Sequence, residues 1–348
     1  MVILHIACLD EILGGVNTVV PQHVSEEGKL ATTFLYNVYK RSREELSGFD
    51  LLTAVNGQKP DIIIFHEVYR PPFIGLYKKA LALGIPYVII PHGSLTQESQ
   101  HKKYIKKKTA NILLFNRFIR GAAAVQCLSQ NEFDHTRVPV EKFISTNGVC
   151  IDRIKQSFRT EKLRFLYVGR LEIAIKGIDL MLNAVKLTEH EILESKSRLD
   201  IYGPDDVGSH EQITAMIRAL GLEDIVTLHG PVVGAEKADV MTGADVFIQT
   251  SRTEGMSVGL LEALAAGLPV IATEGTGMKE LIDRYNAGYS AACSAESIAR
   301  MIAAAVREPE ALPQKGEGAR RLIAENFSWD IIAPECVERY RRLASKHP

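Results

Sequence analysis

The chain is poor in most of the features that betray a specialised environment. It has no excess of charge: 41 lysines and arginines stand against 42 aspartates and glutamates, a formal net charge of -1. That removes any whole-molecule pull toward nucleic acid or an anionic membrane, so a basic site must be local. Its five cysteines, Cys8, Cys127, Cys150, Cys293 and Cys336, are odd in number and include no C-x-x-C pair. Such spacing argues against a disulfide framework or a zinc site and for free thiols in a reducing cytosol. No apolar run reaches the length of a membrane span. The opening MVILHIACLD lacks a basic leader and reads as a first strand, not a signal peptide. No G-x-G-x-x-G follows that strand, which counts against a dinucleotide-dependent dehydrogenase. Repeats of solenoid length and low-complexity tracts are missing too, which excludes repeat arrays.

What the chain does have is alternation. At 348 residues, 46% of them hydrophobic and 24% charged, it is long for one core and ordinary in composition for a soluble two-domain protein. VILHIAC (2–8), TTFLYNV (32–38), DIIIFHE (61–67), PYVIIPH (86–92), AAVQCLS (123–129) and KFISTNG (142–148) are runs of strand length. Their apolar stretches are continuous, the mark of a parallel sheet covered on both faces. Segments between them, such as PPFIGLYKKALALG (71–84), are long enough for crossover helices. The rhythm breaks in a polar, irregular stretch at 151–162. It restarts with RFLYVGR (164–170), RLDIYG (198–203), DIVTLHG (224–230), DVFIQTS (245–251), PVIAT (269–273) and AGYSA (287–291). The expectation is an α/β chain of two doubly wound, Rossmann-like domains facing across a cleft, residues 1–150 and 163–328, joined by a linker at 151–162. A last helix at 329–348 follows the second sheet. Open parallel sheets bind ligands at the carboxyl ends of their strands, so the residues just after each strand carry the functional reading.

TEGMSVGLLEAL (253–264) lies at such an end and sets Glu254 and Glu262 eight positions apart. The strand ends near Ser251, RTEG is the loop after it, and Ser257 is a good N-cap for a helix through VGLLEALAA. Gly267 suits a left-handed cap, and Pro269 stops the helix. Glu254 thus belongs to the loop and Glu262 to the second helical turn. Between them the backbone of Gly255, Met256, Ser257 and Val258 offers an anion unpaired N–H groups and the positive end of a helix dipole. A diphosphate there would leave one carboxylate on each side. Glu262, about 6 Å along the axis from Val258, would accept hydrogen bonds from a ribose, and Glu254 from a sugar beyond the phosphates. Each charged hydrogen bond would contribute about 1.5–3 kcal/mol. An isolated E-x7-E reads more simply as a solvated helix residue and a loop charge.

The surrounding residues add to this. EGMSVGLLEALAAGLPVIAT resembles the E-x7-E segment of the retaining, family-four (group 1) glycosyltransferases of the GT-B fold, and the likeness spans most of the chain. GGVNTVV (14–20) resembles the glycine loop of that family, PHGS (91–94) its histidine loop and TNGV (146–149) the segment before its linker. GRLEIAIKG (169–177) resembles its arginine–lysine pair, and FSWDIIA (327–333) the start of a terminal helix that crosses back to the first domain. The resemblance implies a nucleotide-diphosphate sugar as donor, a UDP-sugar before a GDP-sugar. It implies a glycan or lipid-linked acceptor hydroxyl, a role in polysaccharide, glycolipid or glycoconjugate assembly, and no part for nucleic acid.

It also assigns residues. Arg170 and Lys176, otherwise two surface cations, would neutralise the departing diphosphate, a stabilisation of developing charge. Arginine supplies a fork and lysine a point charge, so the two do not interchange. Lys176 is expected at the start of a helix. Gly14 and Gly15 would let phosphate or sugar approach the backbone. His92 would lie beside the transferred sugar without serving as general base, and Val232 in HGPVV would line the base pocket. No cofactor and no metal is expected, since cations and helix dipoles stand where other transferases use a divalent ion. The rival reading is a nucleotide-sugar epimerase or an inactive nucleotide-sugar-binding protein of the same fold. The first would need general bases that the first half does not suggest; the second would be expected to lack Arg170, Lys176 or Glu254.

QHKKYIKKKTANILLFNRFIRG (100–121) gathers Lys102, Lys103, Lys106, Lys107 and Lys108 beside Ile105, Ile112 and Ile119, which recur on one helical stripe. Two readings stand level: a basic amphipathic helix that meets anionic lipid or a phosphorylated acceptor, and a solvated face over a packed stripe. The expected location is the cytoplasm, with peripheral contact to the inner face of a membrane left open.

Overall fold

Among the described residues, twelve short strands, paired in parallel, build two six-stranded sheets. The computed structural model describes residues 1–10, 15–52, 55, 57–97, 100, 114–150, 153–205 and 208–346. It divides into two units, Met1–Gly148 with Trp329–Pro348, and Val149–Ser328.

In the first unit β1 (Val2–Ala7), β2 (Thr32–Asn37), β3 (Ile62–His66), β4 (Tyr87–Ile90), β5 (Ala124–Cys127) and β6 (Lys142–Ile144) lie in the order β2-β1-β3-β4-β5-β6. Between them run α1 (Gly15–Glu27), α2 (Arg43–Gly48), α3 (Phe73–Ala82), α4 (Asn116–Arg120) and α5 (Gln130–His135). β3, β4 and β5 are buried along their whole length, which is why their apolar runs do not alternate. The edge strand β2 has no fully buried residue. Under one face, Phe118 meets Phe65 edge-on at 5.1 Å and stacks on Tyr87 at 5.6 Å, an aromatic core with directional contacts.

The second unit holds β7 (Arg164–Val168), β8 (Arg198–Tyr202), β9 (Val226–His229), β10 (Val246–Gln249), β11 (Val270–Thr273) and β12 (Gly288–Ala291), ordered β12-β11-β10-β7-β8-β9. Its helices are α6 (Ile173–Lys176), α7 (Ile178–Leu187), α8 (Glu189–Glu194), α9 (Ser209–Leu220), α10 (Gly234–Gly243), α11 (Val258–Ala265), α12 (Lys279–Tyr285), α13 (Ala295–Arg307) and α14 (Leu312–Asn326). Successive residues of β7 feed opposite cores: Phe165 and Tyr167 join one, Leu166 and Val168 the other. Winding reverses between β7 and β10. That is the switch point at which doubly wound sheets open a crevice beyond the strand ends.

The final helix, α15 (Trp329–Ser345), belongs to the first unit. Tyr340 donates to Gln126 Oε1 at 2.7 Å, and Cys336 Sγ lies 3.1 Å from Ser145 Oγ. Gly148 closes the same seam, because a Cβ there would sit 2.4 Å from the Trp329 ring. Two motifs read separately in the sequence, TNGV and FSWDIIA, thus meet. Among the described residues no helix is long and apolar enough to cross a membrane.

The stretch read as a linker is fastened to the second unit through Lys155 and Arg159. Asp245, fully buried, takes Lys155 Nζ at 3.1 Å and Arg159 Nη1 at 2.8 Å, and accepts the Arg164 N–H at 2.9 Å. The Lys155 N–H donates to Ala266 O at 2.9 Å. A carboxylate without water needs such partners, and here the polar residues of the segment supply them. Asp245→Asn strands the buried Lys155 ammonium, so stability should fall by about 3–5 kcal/mol in urea unfolding. A loss within experimental error of zero would contradict this arrangement.

Candidate active site

At the switch point of the second unit, strand ends and helix starts are forced together by backbone contacts that side chains would block. A Cβ on Gly259 would lie 2.7 Å from Val168 O, so the first turn of α11 rests directly against the end of β7. Gly177 adopts φ 63°, and a Cβ there would lie 2.1 Å from Thr250 O. Only glycine fits both that conformation and that approach. Thr250 Oγ1 donates to Lys176 O at 3.0 Å and Gly177 O at 2.9 Å, and the Arg252 N–H donates to Ile175 O at 2.8 Å. Arg252 also forks onto Asp179 with contacts of 2.8 and 2.6 Å. The α6–α7 turn is thereby stitched to the loop after β10.

The stitching delivers Lys176 to Glu254. Its Nζ lies 2.5 Å from Glu254 Oε1, which also accepts Ser251 Oγ at 2.6 Å and Gln249 Nε2 at 3.2 Å. Both partners of the ion pair are largely withdrawn from solvent, with 13% and 9% side-chain exposure. Lys176 was expected to open a helix. It closes one instead, as the last residue of α6, because Gly177 turns left-handed immediately after it. Glu262, one turn into α11, has its own lysine: Lys237 of α10 forms an ion pair with it. Reading of the sequence missed Lys237, although it follows HGPVV by only a few residues. Each of the two glutamates is therefore held by one lysine.

Ser257 stands at the N-cap position of α11, but its hydroxyl does not cap the helix. It donates to Gln249 Oε1 at 3.3 Å instead. The first N–H groups of α11 thus have no side-chain cap, and the helix end keeps its capacity for an anion. Gly255 and Met256 are half-buried just ahead of it, and Val232 is buried. Arg170 is exposed at the end of β7, and its carbonyl accepts the Tyr167 hydroxyl at 2.9 Å. Gly267 takes φ 78° where a left-handed cap was expected.

The family model described as "Glycosyl transferases group 1" matches residues 151–322. Those residues are a group 1 glycosyl transferase domain. A D-inositol 3-phosphate glycosyltransferase of Streptomyces bingchenggensis is 29% identical over 230 residues, 61% of this chain and 49% of that one. An MMP alpha-(1->4)-mannosyltransferase of Mycolicibacterium hassiacum is 24% identical over 188 residues, 53% of this chain and 44% of that one. The chain spans about half the length of the curated relatives it matches. Among solved structures, HepE of Anabaena in complex with UDP-glucose superposes with a TM-score of 0.76 at 15% identity, covering 98% of this chain and 99% of that one. A sucrose-phosphate synthase of Thermosynechococcus elongatus gives 0.75 at 17% identity, covering 99% and 100%. The fold is GT-B, and the switch point just described lies inside the glycosyl transferase domain.

In the first unit, Gly15 opens α1, as the glycine loop requires; Gly14 lies outside the described residues, as do Lys102, Lys103 and Lys106. His92 follows β4 at φ 49° and Gly93 follows at φ 79°, so the histidine loop turns on two left-handed residues. Glu132, fully buried, anchors that turn: it accepts the Gly93 N–H at 2.5 Å and the Leu128 N–H at 2.7 Å. His92 Nε2 lies 3.3 Å from His66 Nδ1. Burial, with the field of His23 added, pushes the His92 imidazole down to about 3. Burial does the same to His66, helped by His5, His92 and His23.

Behind them lies a buried group that no local pattern foretells: His5, His23 and Glu27. Burial raises the Glu27 carboxyl, but its contacts with His5 and His23 outweigh that and hold the group at about 2. His23, Glu27 and Cys336 also bring possible metal-ligand atoms within 4.8 Å of one another. Each is already engaged, since His23 Nδ1 meets Glu27 at 2.8 Å and Cys336 meets Ser145, while burial keeps the Cys336 thiol protonated.

These groups set an acid sensitivity. His66 and His92 are neutral in the fold but bind protons near pH 6.5 once unfolded, so stability falls as pH drops below about 6.5. Glu27 contributes stability above its unfolded value of 4.5, lost as pH falls toward about 2. The urea midpoint should decline steadily from pH 7 to pH 4. A constant midpoint across that range would refute the buried protonation states.

Proposed function

We propose that the protein is a retaining glycosyltransferase that moves a sugar from a nucleotide-diphosphate sugar to an acceptor hydroxyl. The observation that carries the reading is the Lys176–Glu254 ion pair at the β7–β10 switch point, beside the uncapped start of α11. A diphosphate at that helix end draws on its N–H groups, Lys176 and Arg170 together. As the bond to the sugar breaks, negative charge accumulates on the leaving phosphate, and cations already in place stabilise it without reorganisation. This assigns to side chains and a helix end the neutralisation that a divalent ion supplies elsewhere.

The two carboxylates divide the polyol recognition. Glu254 Oε2 has no hydrogen-bond partner among the described residues and is the oxygen available to a sugar hydroxyl, while Oε1 stays on Lys176, Ser251 and Gln249. Glu262 takes the ribose when Lys237 shifts from it toward the phosphates. The backbone of Gly255, Met256 and Val258 meets the phosphates, and Val232 borders the base; Gly14 and Gly15 are assigned to the donor by the family resemblance alone. His92 contacts the transferred sugar. Retention follows if the acceptor enters on the face the diphosphate leaves.

UDP is the favoured nucleotide, with GDP second; the UDP-glucose complex of HepE supports that order. The acceptor is a glycan or lipid-linked molecule, and the lysines at 102–108 are its candidate docking or membrane side, at the cytoplasmic face. Glu254→Ala should lower transfer about 100-fold with UDP affinity within about threefold of wild type. Single-turnover transfer and UDP calorimetry on the two proteins make the comparison. Unchanged turnover would remove Glu254 from the sugar.

A further inference from the structure

A continuous chain of buried polar atoms runs behind His92. His92 Nε2 lies 3.3 Å from His66 Nδ1, and His66 Nε2 lies 3.0 Å from His5 Nδ1. His5 Nε2 lies 3.3 Å from Glu27 Oε2, and Glu27 Oε1 lies 2.8 Å from His23 Nδ1. His23 Nε2 ends the chain 3.2 Å from Asn147 Oδ1. His5, His66, His23 and Glu27 are each 0% exposed. From α15, the Trp329 ring stands edge-on to His23 at 4.7 Å. Cys336 and Tyr340, both kept protonated chiefly by burial, face Glu27 from the same helix.

Proton order along the chain follows from the carboxylate. An ionised carboxylate only accepts, and a neutral imidazole has one N–H and one lone pair. His23 is the ring whose two nitrogens both face oxygens, so it is the place for the counter-charge of Glu27. That leaves one carboxylate and one imidazolium in the cluster and His5 neutral, as a second buried cation would be uncompensated. His5 Nε2 and Glu27 Oε2 have no hydrogen-bond partner of good geometry, yet they face each other. Two lone pairs at that distance would repel, so the proton sits on His5 Nε2. His5 Nδ1 then accepts, His66 Nε2 donates to it, and His66 Nδ1 accepts in turn. His92 must donate through Nε2.

We infer that Glu27, relayed by His5 and His66, fixes the tautomer of His92 and turns its Nδ1 lone pair outward as an acceptor for a substrate hydroxyl. Glu27, His5 and His66 are positioning residues in this scheme, and none touches substrate. No described residue hydrogen-bonds His92 Nδ1. A hydroxyl of the transferred sugar is the ligand chemistry it fits, a point that rests on the glycosyltransferase reading. The strained φ of 49° at His92 is consistent with a residue held in one orientation by its surroundings.

The test is the two-bond proton–nitrogen spectrum of histidine-labelled full-length protein between pH 6 and 8, with His92 assigned by its loss in His92→Gln. Wild type should show His92 and His66 protonated at Nε2 alone. Glu27→Gln should move His92 toward the Nδ1–H form and lower kcat about tenfold, with donor KM within about twofold. His66→Gln, which cuts the chain without touching Glu27, should do the same. An Nδ1–H form of His92 in wild type overturns the inference, and that reading requires no variant to fold. So does an unaltered tautomer in a folded Glu27→Gln protein. The expected spectrum in a protein that binds no nucleotide sugar would sink the transferase reading and leave the chain intact.

Discussion

The contact between Lys176 and Glu254 organises the second unit. Neither residue belongs to the sheet core, yet the local backbone is shaped to bring them together: a left-handed Gly177 pressed on Thr250, a helix start pressed on Val168, and Arg252 forked onto Asp179. An ion pair this far from solvent interacts more strongly than a surface pair, and it is less screened by salt. Glu254 is satisfied by three donors on one oxygen, and Lys176 is held at the strand ends with its charge compensated. On the proposed function, a site that keeps its cations in place through internal carboxylates would be organised before a diphosphate arrives, and the anion would exchange partners instead of recruiting them.

The two units handle buried charge in opposite ways. In the second, Glu254 and Glu262 sit at strand and helix ends, partly exposed, each with a lysine that a ligand can compete for. In the first, Glu27 is sealed between His5 and His23 under the terminal helix, and no ligand reaches it. Its influence travels outward through ring nitrogens to His92. Exchangeable charge suits a leaving group; sealed charge suits the fixing of a proton. Asp245 is a third case, a sealed carboxylate whose cations, Lys155 and Arg159, are purely architectural and fasten the start of the unit.

Legibility in the sequence followed the range of the interactions. The central strands were readable because a strand buried on both faces must be apolar along its length, as β3, β4 and β5 are. The loop place of Glu254, the helical place of Glu262 and the left-handed Gly267 were readable as well, since caps and stops are set by neighbouring residues. Contacts across long separations were not. Nothing in GRLEIAIKG says that its lysine meets a glutamate 78 positions later, and nothing near Glu262 points to Lys237. His5, His23 and His66 lie on β1, α1 and β3 and His92 just past β4, and only the folded chain gathers them. The anchoring of Lys155 and Arg159 was hidden for the same reason: their partner, Asp245, is too distant in sequence to suggest burial.

The proposed function requires cations at the β7–β10 switch point to hold a diphosphate. It is tested most directly by calorimetric titration of UDP into wild type and into Arg170→Ala/Lys176→Ala, at one ionic strength and with folding checked by circular dichroism. Loss of two charge-assisted contacts predicts an affinity about 100-fold weaker in the double variant. An affinity equal to that of wild type would contradict the account.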